Sequence, residues 1–228
     1  MTKSQRLELE SFMLGIFADP AFPAAGGRYY SLTPGSPHEI SASKYAALVA
    51  SHVMFAPLPG DPYLAAAGAA GDWPHGRGCF VADELVVWVG EEDHLRIMVL
   101  QVATDLASLF LLLAPLVSFL SSATLPLGGF SAHPSLGYVA ACPSNLGTGL
   151  RASALLPLPR LASDPSALAA AGGRAGLQVR GAGGENSEAG GGGLVDVSPG
   201  GRLGATERQI AERLYEGVGA LLAEEERA

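Results

Sequence analysis

Residues 136–153 read LGYVAACPSNLGTGLRAS, a stretch in which apolar and polar segments alternate sharply. The apolar residues over 137–142 and again over 152–158 predict two strands. Between them, Gly147 and Gly149 permit turns and let backbone amides approach an anion closely. The stretch therefore predicts two strands joined by a polar connection that suits an anionic ligand.

The rest of the chain adds further short strands, with helices towards both ends. An amphipathic helix is predicted over 7–17, a second near 43–52, and a last one from Thr206, which forms a capping box with Gln209. Strands clustered between helices, without regular βαβ alternation, favour an α+β domain with a mainly antiparallel β-sheet flanked by α-helices. The other predicted strands are 79–81, 85–89, 95–101, 177–180 and 194–197.

Composition limits the classes of protein that fit. The 228 residues are 48% hydrophobic and 16% charged, which suits one sizeable core and a single domain over 1–228. A net charge of -8 gives no electrostatic footprint for nucleic acid or an anionic membrane, so any phosphate must be held by local cations. Cys79 and Cys142 lack metal-ligand spacing, and Glu8 and Glu10 interrupt the opening, so we expect a reducing, cytoplasmic setting.

Residues 106–150 contain no Asp, Glu, Lys or Arg. Their first part is long enough to suggest a membrane span, which needs about 20 apolar residues. Pro115 interrupts that run, and a span there would cut a set of soluble motifs in half. We therefore expect no membrane partner and favour a buried or partner-covered helix.

The arginines are the first candidates for phosphate binding, since the chain has twelve of them and only two lysines. Arg96, Arg151 and Arg180 each lie in a polar motif beside a predicted strand. If those strands are neighbours, three guanidinium groups could converge on one polyphosphate, each bidentate to its oxygens. The alternative for any one of them is a solvated surface charge.

Carboxylates and a cysteine complete the candidate chemistry. Glu91, Glu92 and Asp93 follow an apolar strand and could orient a guanidinium and accept its proton, although an acidic triplet is also typical of a solvated turn. Cys142 ends a predicted strand, and the hydroxyl of Ser144 could hydrogen-bond its thiolate; the alternative is a core cysteine.

Together these motifs resemble the phosphagen kinases, the ATP:guanidino phosphotransferases. The resemblance to their C-terminal catalytic domain is faint over 1–70 and strong over 71–228, with the front of the domain missing. It implies the glutamine-synthetase-like catalytic fold of guanido kinases. The matching strings are DWPHGRG (72–78), VWVGEEDHLRI (87–97), LGYVAACPSNLGTGLRAS (136–153), LQVRGAGGENSEAGGG (177–192) and RLGATE (202–207).

The resemblance also implies roles for single residues. Glu92 resembles the family's guanidinium-orienting base, and Cys142 the thiolate that aligns the substrate. Glu185 stands where arginine-specific members carry a glutamate, whereas the CPSN sequence at Cys142 is more creatine-kinase-like, so the substrate stays open. The nucleotide-binding residues implied are Arg96, Arg151, Ala152, Ser153, Ala154, Leu155, Arg180, Gly181, Ala182, Gly183, Gly184 and Glu185.

The implied reaction is in-line transfer of the ATP γ-phosphoryl group to a guanidino nitrogen. The implied cofactors are ATP or ADP with Mg²⁺, which the phosphates would hold, so we predict no protein metal ligand. The partner is a small guanidino compound, and the oligomeric state is left open.

The sequence departs from the family pattern in one serious respect. The family's Ser-x-Arg-x-Arg segment, which supplies two further phosphate-binding arginines, does not occur in these 228 residues. Three interpretations follow: a piece of a working guanidino kinase, a non-catalytic nucleotide-binding module, or a kinase that another chain completes or that phosphorylates arginine in proteins.

Overall fold

The computed structural model describes residues 1–24, 26–102, 105–181 and 193–228, which fall into two compact units, Met1–Phe130 (unit 1) and Ser131–Ala228 (unit 2). A single domain over 1–228 stays a prediction. The helices are α1 (Lys3–Phe17), α2 (Ala42–Ala50), α3 (Pro62–Ala66), α4 (Leu106–Ala123), α5 (Pro165–Arg174) and α6 (Glu207–Arg227). The strands are β1 (Arg28–Ser31), β2 (Gly78–Ala82), β3 (Leu85–Val89), β4 (Leu95–Val99), β5 (Ala132–His133), β6 (Gly137–Tyr138), β7 (Ala154–Pro157), β8 (Leu177–Gly181) and β9 (Leu194–Pro199).

Unit 1 contains a four-stranded antiparallel sheet in the order β1-β2-β3-β4. Apolar side chains of α1, α4 and the sheet form its main core, which includes Met13, Phe80, Val87, Leu116 and Leu120. Since all the named strand pairs are antiparallel and helices pack beside them, the predicted α+β class agrees with the structure.

The DWPHGRG motif of unit 1 is a structural turn built on Arg77. This side chain is fully buried, and its Nη atoms donate to the carbonyl oxygens of Ala69, Gly71 and His75 at 2.6–2.9 Å. Burial, and to a smaller extent the nearby positive charge of Arg6, lowers the pKa of Arg77 to about 10. The three hydrogen bonds join residues 69, 71 and 75 to one buried guanidinium, which fixes the shape of the turn.

Unit 2 has a three-stranded antiparallel sheet in the order β7-β9-β8, with α5 and α6 packed on one face. Gly217 of α6 allows this close approach, because a Cβ there would lie 2.6 Å from Leu177 Cγ. The buried apolar residues of this layer include Leu168, Leu177, Val195, Val197, Ile210, Leu214 and Leu221.

The N-terminus of α6 carries the predicted capping box. Thr206 accepts a hydrogen bond from the backbone N–H of Gln209, and the Gln209 side chain accepts one from the backbone N–H of Thr206. Replacing Thr206 with alanine will lower the free energy of unfolding by about 1 kcal/mol, since orphan N–H groups lose their acceptor. Urea denaturation measures this, and Thr206→Ser should retain most of the stability; an unchanged midpoint for Thr206→Ala would contradict the prediction.

Helix α4 buries only a narrow stripe. Leu116 and Leu120 are buried in unit 1, whereas Leu111 and Leu112 are 76% and 46% exposed. The helix is long and apolar enough to cross a membrane, and 11% of it is buried. The expectation of a buried helix therefore holds for one stripe alone, and the absence of a membrane partner stays a prediction.

Several elements differ from the sequence predictions. The strand expected over 137–142 is limited to β6, so Cys142 does not end a strand. The sequence patterns did not reveal β1, α3, β5 or α5.

Candidate functional site

Three polar side chains of unit 2 are grouped on one face of its sheet, around Asp196. Asp196 of β9 is directly opposite Arg180 of β8, and such pairs project from the same face of an antiparallel sheet. Arg151, which precedes β7, donates from Nη2 to Asp196 Oδ2 at 2.5 Å and to Ser198 Oγ at 3.5 Å. Two of the three predicted phosphate-binding arginines therefore share one sheet face with a carboxylate.

The alternation of side chains along β9 explains why this face is polar. Val195 and Val197 are fully buried, while Asp196 between them points to the opposite face. The prediction of a strand over 194–197 gave Asp196 no role. The Val-Asp-Val pattern is the signal that could have identified it.

The predicted nucleotide-binding backbone belongs partly to the same sheet. Leu155 of β7 is opposite Asp196 and 57% exposed, and Gly181 of β8 is opposite Val195. Their contact with a nucleotide stays a prediction, as it does for Ala152, Ser153 and Ala154. The remaining predicted residues, Ala182, Gly183, Gly184 and Glu185, lie outside the described residues.

Cys142 lies in unit 2 directly before a single 3-10 turn, Pro143–Asn145. Its Sγ is 3.0 Å from Ser144 Oγ, and its carbonyl accepts a hydrogen bond from Asn145 N at 3.0 Å. A serine hydroxyl at this distance can donate to a thiolate. The structure thus contains the predicted Cys142–Ser144 pair, although on a turn instead of at a strand end.

The two cysteines should react very differently with an alkylating reagent. Cys142 is partly exposed, whereas Cys79 is fully buried and burial raises the pKa of its thiol to about 12. Because the thiolate is the nucleophile, iodoacetamide at pH 8 will modify Cys142 at least about 100-fold faster than Cys79. Peptide mapping by mass spectrometry measures both rates; comparable labelling of the two would contradict the prediction.

Unit 1 brings together Glu92 and Arg96. Arg96 Nη2 lies 3.4 Å from Glu92 Oε2 and 3.3 Å from Glu91 Oε2. Its guanidinium carbon is 5.1 Å from the ring centre of Trp88, its partner across β3 and β4. Two carboxylates and an aromatic face therefore orient this guanidinium. A meeting of Arg96 with Arg151 and Arg180 would join the two units and stays a prediction.

The candidate site contains arginine donors, and the described part of the chain contains no cluster of metal-ligand side chains. Within 1–24, 26–102, 105–181 and 193–228, no three His, Cys, Asp or Glu side chains cluster as metal ligands. Arg151 Nε is buried and has no hydrogen-bond acceptor among those residues. Guanidinium donors of this kind suit phosphate oxygens.

Comparison with known protein families identifies the chain. The family model described as "ATP:guanido phosphotransferase, C-terminal catalytic domain" matches residues 15–228. This chain belongs to the ATP:guanido phosphotransferase family. The resemblance seen in the sequence motifs is confirmed.

Curated relatives of this phosphotransferase domain include arginine kinases of crustaceans. One from Artemia franciscana is 39% identical over 204 residues, which cover 89% of this chain and 54% of the relative. One from Penaeus vannamei is 38% identical over 220 residues, which cover 96% of this chain and 58% of the relative. The chain therefore spans little more than half the length of these relatives.

Solved structures confirm the phosphotransferase fold. The duplicated taurocyamine kinase of Schistosoma mansoni, with bound transition state analog components, is 36% identical and has a TM-score of 0.83, covering 99% of this chain and 30% of that one. A lombricine kinase is 29% identical with a TM-score of 0.83, covering 99% of this chain and 60% of the other.

Proposed function

We propose that this protein transfers the γ-phosphoryl group of ATP in line to a guanidino nitrogen of an arginine- or creatine-type substrate. A P–N bond forms as the bond to the ADP oxygen breaks, and the guanidino nitrogen loses a proton. The family match over 15–228 is the observation that carries this proposal, because it includes every candidate arginine and carboxylate.

The arginines supply the main chemical support. Phosphoryl transfer asks little covalent chemistry of the protein, so catalysis rests on positioning and on neutralising charge. Arg151 and Arg180 already share a sheet face, and Asp196 holds the Arg151 guanidinium in one orientation. In our proposal these two groups and Arg96 bind the phosphate oxygens.

Carboxylates and the thiol orient the acceptor in this proposal. Glu92 binds the guanidinium and takes its proton, and Cys142 aligns the same group. Glu185 is assigned to the arginine-type substrate by its position in the GENSEA sequence. Mg²⁺, carried by the nucleotide phosphates, would neutralise charge on their oxygens beside the partly exposed guanidinium of Arg151.

The named activities of the relatives guide the choice of substrates for a test. Relatives of this chain are named arginine, taurocyamine and lombricine kinases, so all three compounds and creatine belong in the assay. We further propose that the protein works in the cytoplasm on such a small molecule.

The test is direct detection of the phosphorylated guanidino product by phosphorus NMR, together with ADP binding by calorimetry. A new P–N signal with one of the four compounds supports the proposal. ADP binding without turnover on these compounds or on an arginine-containing peptide would favour a nucleotide-binding module. Failure to bind ADP and to form product would overturn the proposal.

A further inference from the structure

Arg202 lies between β9 and α6, in the RLGATE segment, and reaches a connection that is distant in the sequence. Its Nη1 donates a hydrogen bond to the carbonyl oxygen of Ser144 at 2.8 Å, and its Nε donates to that of Leu150 at 3.1 Å. One guanidinium group thus holds both ends of the connection between Cys142 and Arg151.

The main chain at Arg202 also contacts the middle of this connection. Gly147 has a φ of 106°, and a Cβ there would lie 2.4 Å from the carbonyl oxygen of Arg202. On its other side, Gly147 accepts a hydrogen bond from Tyr138 N at 2.7 Å. The connection is therefore fixed at three points: residues 144, 147 and 150.

The chemistry of these contacts indicates why an arginine is suited to this place. The acceptors are neutral carbonyl oxygens, so the contacts set geometry and do not form an ion pair. A guanidinium presents several N–H donors in one rigid plane and can serve two separated carbonyls at once. A lysine ammonium is a point charge on a flexible stem and cannot reproduce that fork.

We propose that Arg202 is a positioning residue for phosphoryl transfer. By holding residues 143–150, it keeps the Cys142–Ser144 contact and the Arg151–Asp196 ion pair in place together. The effect of Arg202 on catalysis rests on the proposed function. Its effect on the Cys142–Ser144 contact and the Arg151–Asp196 ion pair does not.

Arg202→Ala and Arg202→Lys test this, with Arg160→Ala as the matched control. Arg160 also donates from one Nη to two main-chain carbonyls, those of Glu225 and Glu226 at 3.3 and 3.0 Å. The control therefore removes similar contacts from the same unit without touching the connection. Three quantities are compared in the full chain: the rate of Cys142 alkylation by iodoacetamide at pH 7, the dissociation constant of ADP, and the melting temperature.

In both Arg202 variants, iodoacetamide should alkylate Cys142 about 3- to 10-fold more slowly, because the Ser144 hydroxyl no longer contacts the sulfur. Both variants should also bind ADP about 10-fold more weakly, the effect expected from losing one or two hydrogen bonds. Arg160→Ala should change both within twofold. Wild-type values in Arg202→Ala, rescue by lysine, or faster alkylation of Cys142 in a folded Arg202→Ala variant would overturn the inference.

If Arg202→Ala does not fold, Gly147→Ala replaces it, since the added Cβ displaces the same connection and should produce the same two changes. Wild-type values in that variant would likewise overturn the inference. If the wild-type protein binds no ADP, the proposed function fails, while the alkylation rates still test the role of Arg202.

Discussion

Arg151→Ala should lower the turnover of the proposed reaction by about 100- to 1,000-fold, the loss typical of removing one donor that stabilises transition-state charge. The same change should weaken ADP binding, because it removes the guanidinium from the sheet face that we propose binds phosphate and leaves Asp196 without its 2.5 Å partner. Steady-state kinetics with the active substrate and calorimetry with ADP measure the two effects.

Arg208→Ala is the control for Arg151→Ala. Arg208 also pairs with a carboxylate, that of Glu212 at 2.7 Å, but its side chain is mostly exposed on α6. Exposed pairs of this kind contribute little to stability, so the control should keep its turnover and ADP affinity. ADP affinity equal to wild type in Arg151→Ala would contradict the place of Arg151 in the site.

Glu92→Gln should lower turnover by about 100- to 10,000-fold, the range that a positioned general base contributes. The amide keeps the size of the side chain but cannot accept the guanidinium proton. ADP affinity should change less than about twofold, since the nucleotide is assigned to the arginines. Single-turnover kinetics separates the chemical step from binding.

Glu91→Gln is a closely matched control, because Glu91 contacts the same Arg96 nitrogen at 3.3 Å, compared with 3.4 Å for Glu92. It removes an equal ion pair without the proposed base and should lose less than about tenfold in turnover. Equal losses in the two variants would assign the effect to the Arg96 ion pair. Unchanged turnover in Glu92→Gln would exclude Glu92 as the base.

The sequence predicted correctly those elements that depend only on residues close together in the chain. The strand over 85–89 agrees with the structure residue by residue, since a short apolar run bounded by polar residues defines it. The Thr206 cap of α6 was equally predictable, because both partners of the capping box lie within one helical turn. Neither element needs information from distant parts of the chain.

Elements that depend on distant pairing were not predictable in this way. The four residues of β1 form a strand because β2, far along the chain, pairs with all of them. Strand β6 ends at Tyr138, whose N–H and carbonyl oxygen form hydrogen bonds with Gly147, and one further bond runs from Val139 N to the carbonyl oxygen of Ser131. Pro143, next to Cys142, lacks the N–H that a ladder needs. Apolar character over 137–142 alone could not show this.

In the candidate site, too, sequence motifs predicted single residues but not the contacts between distant ones. Motif resemblance identified Arg151 and Arg180, and the Val-Asp-Val pattern could have indicated that Asp196 is polar-facing, but its place opposite Arg180 depends on the register of β8 and β9. That register is set by which side chains α5 and α6 bury, a property of the whole unit. The sequence likewise could not predict the contacts of Arg202 with the carbonyls of Ser144 and Leu150, because every residue type has a backbone carbonyl.

The uncharged helix α4 affects how this protein behaves at high concentration. Leu111 and Leu112 face outward from a helix without ionisable side chains, so mutual repulsion between molecules must come from charges elsewhere. The net charge of -8 provides it at neutral pH, and this repulsion vanishes as the pH approaches 5.1. Mildly acidic buffers and strong salt screening therefore favour precipitation through the leucine face, whereas slightly alkaline, dilute buffers keep the protein dispersed.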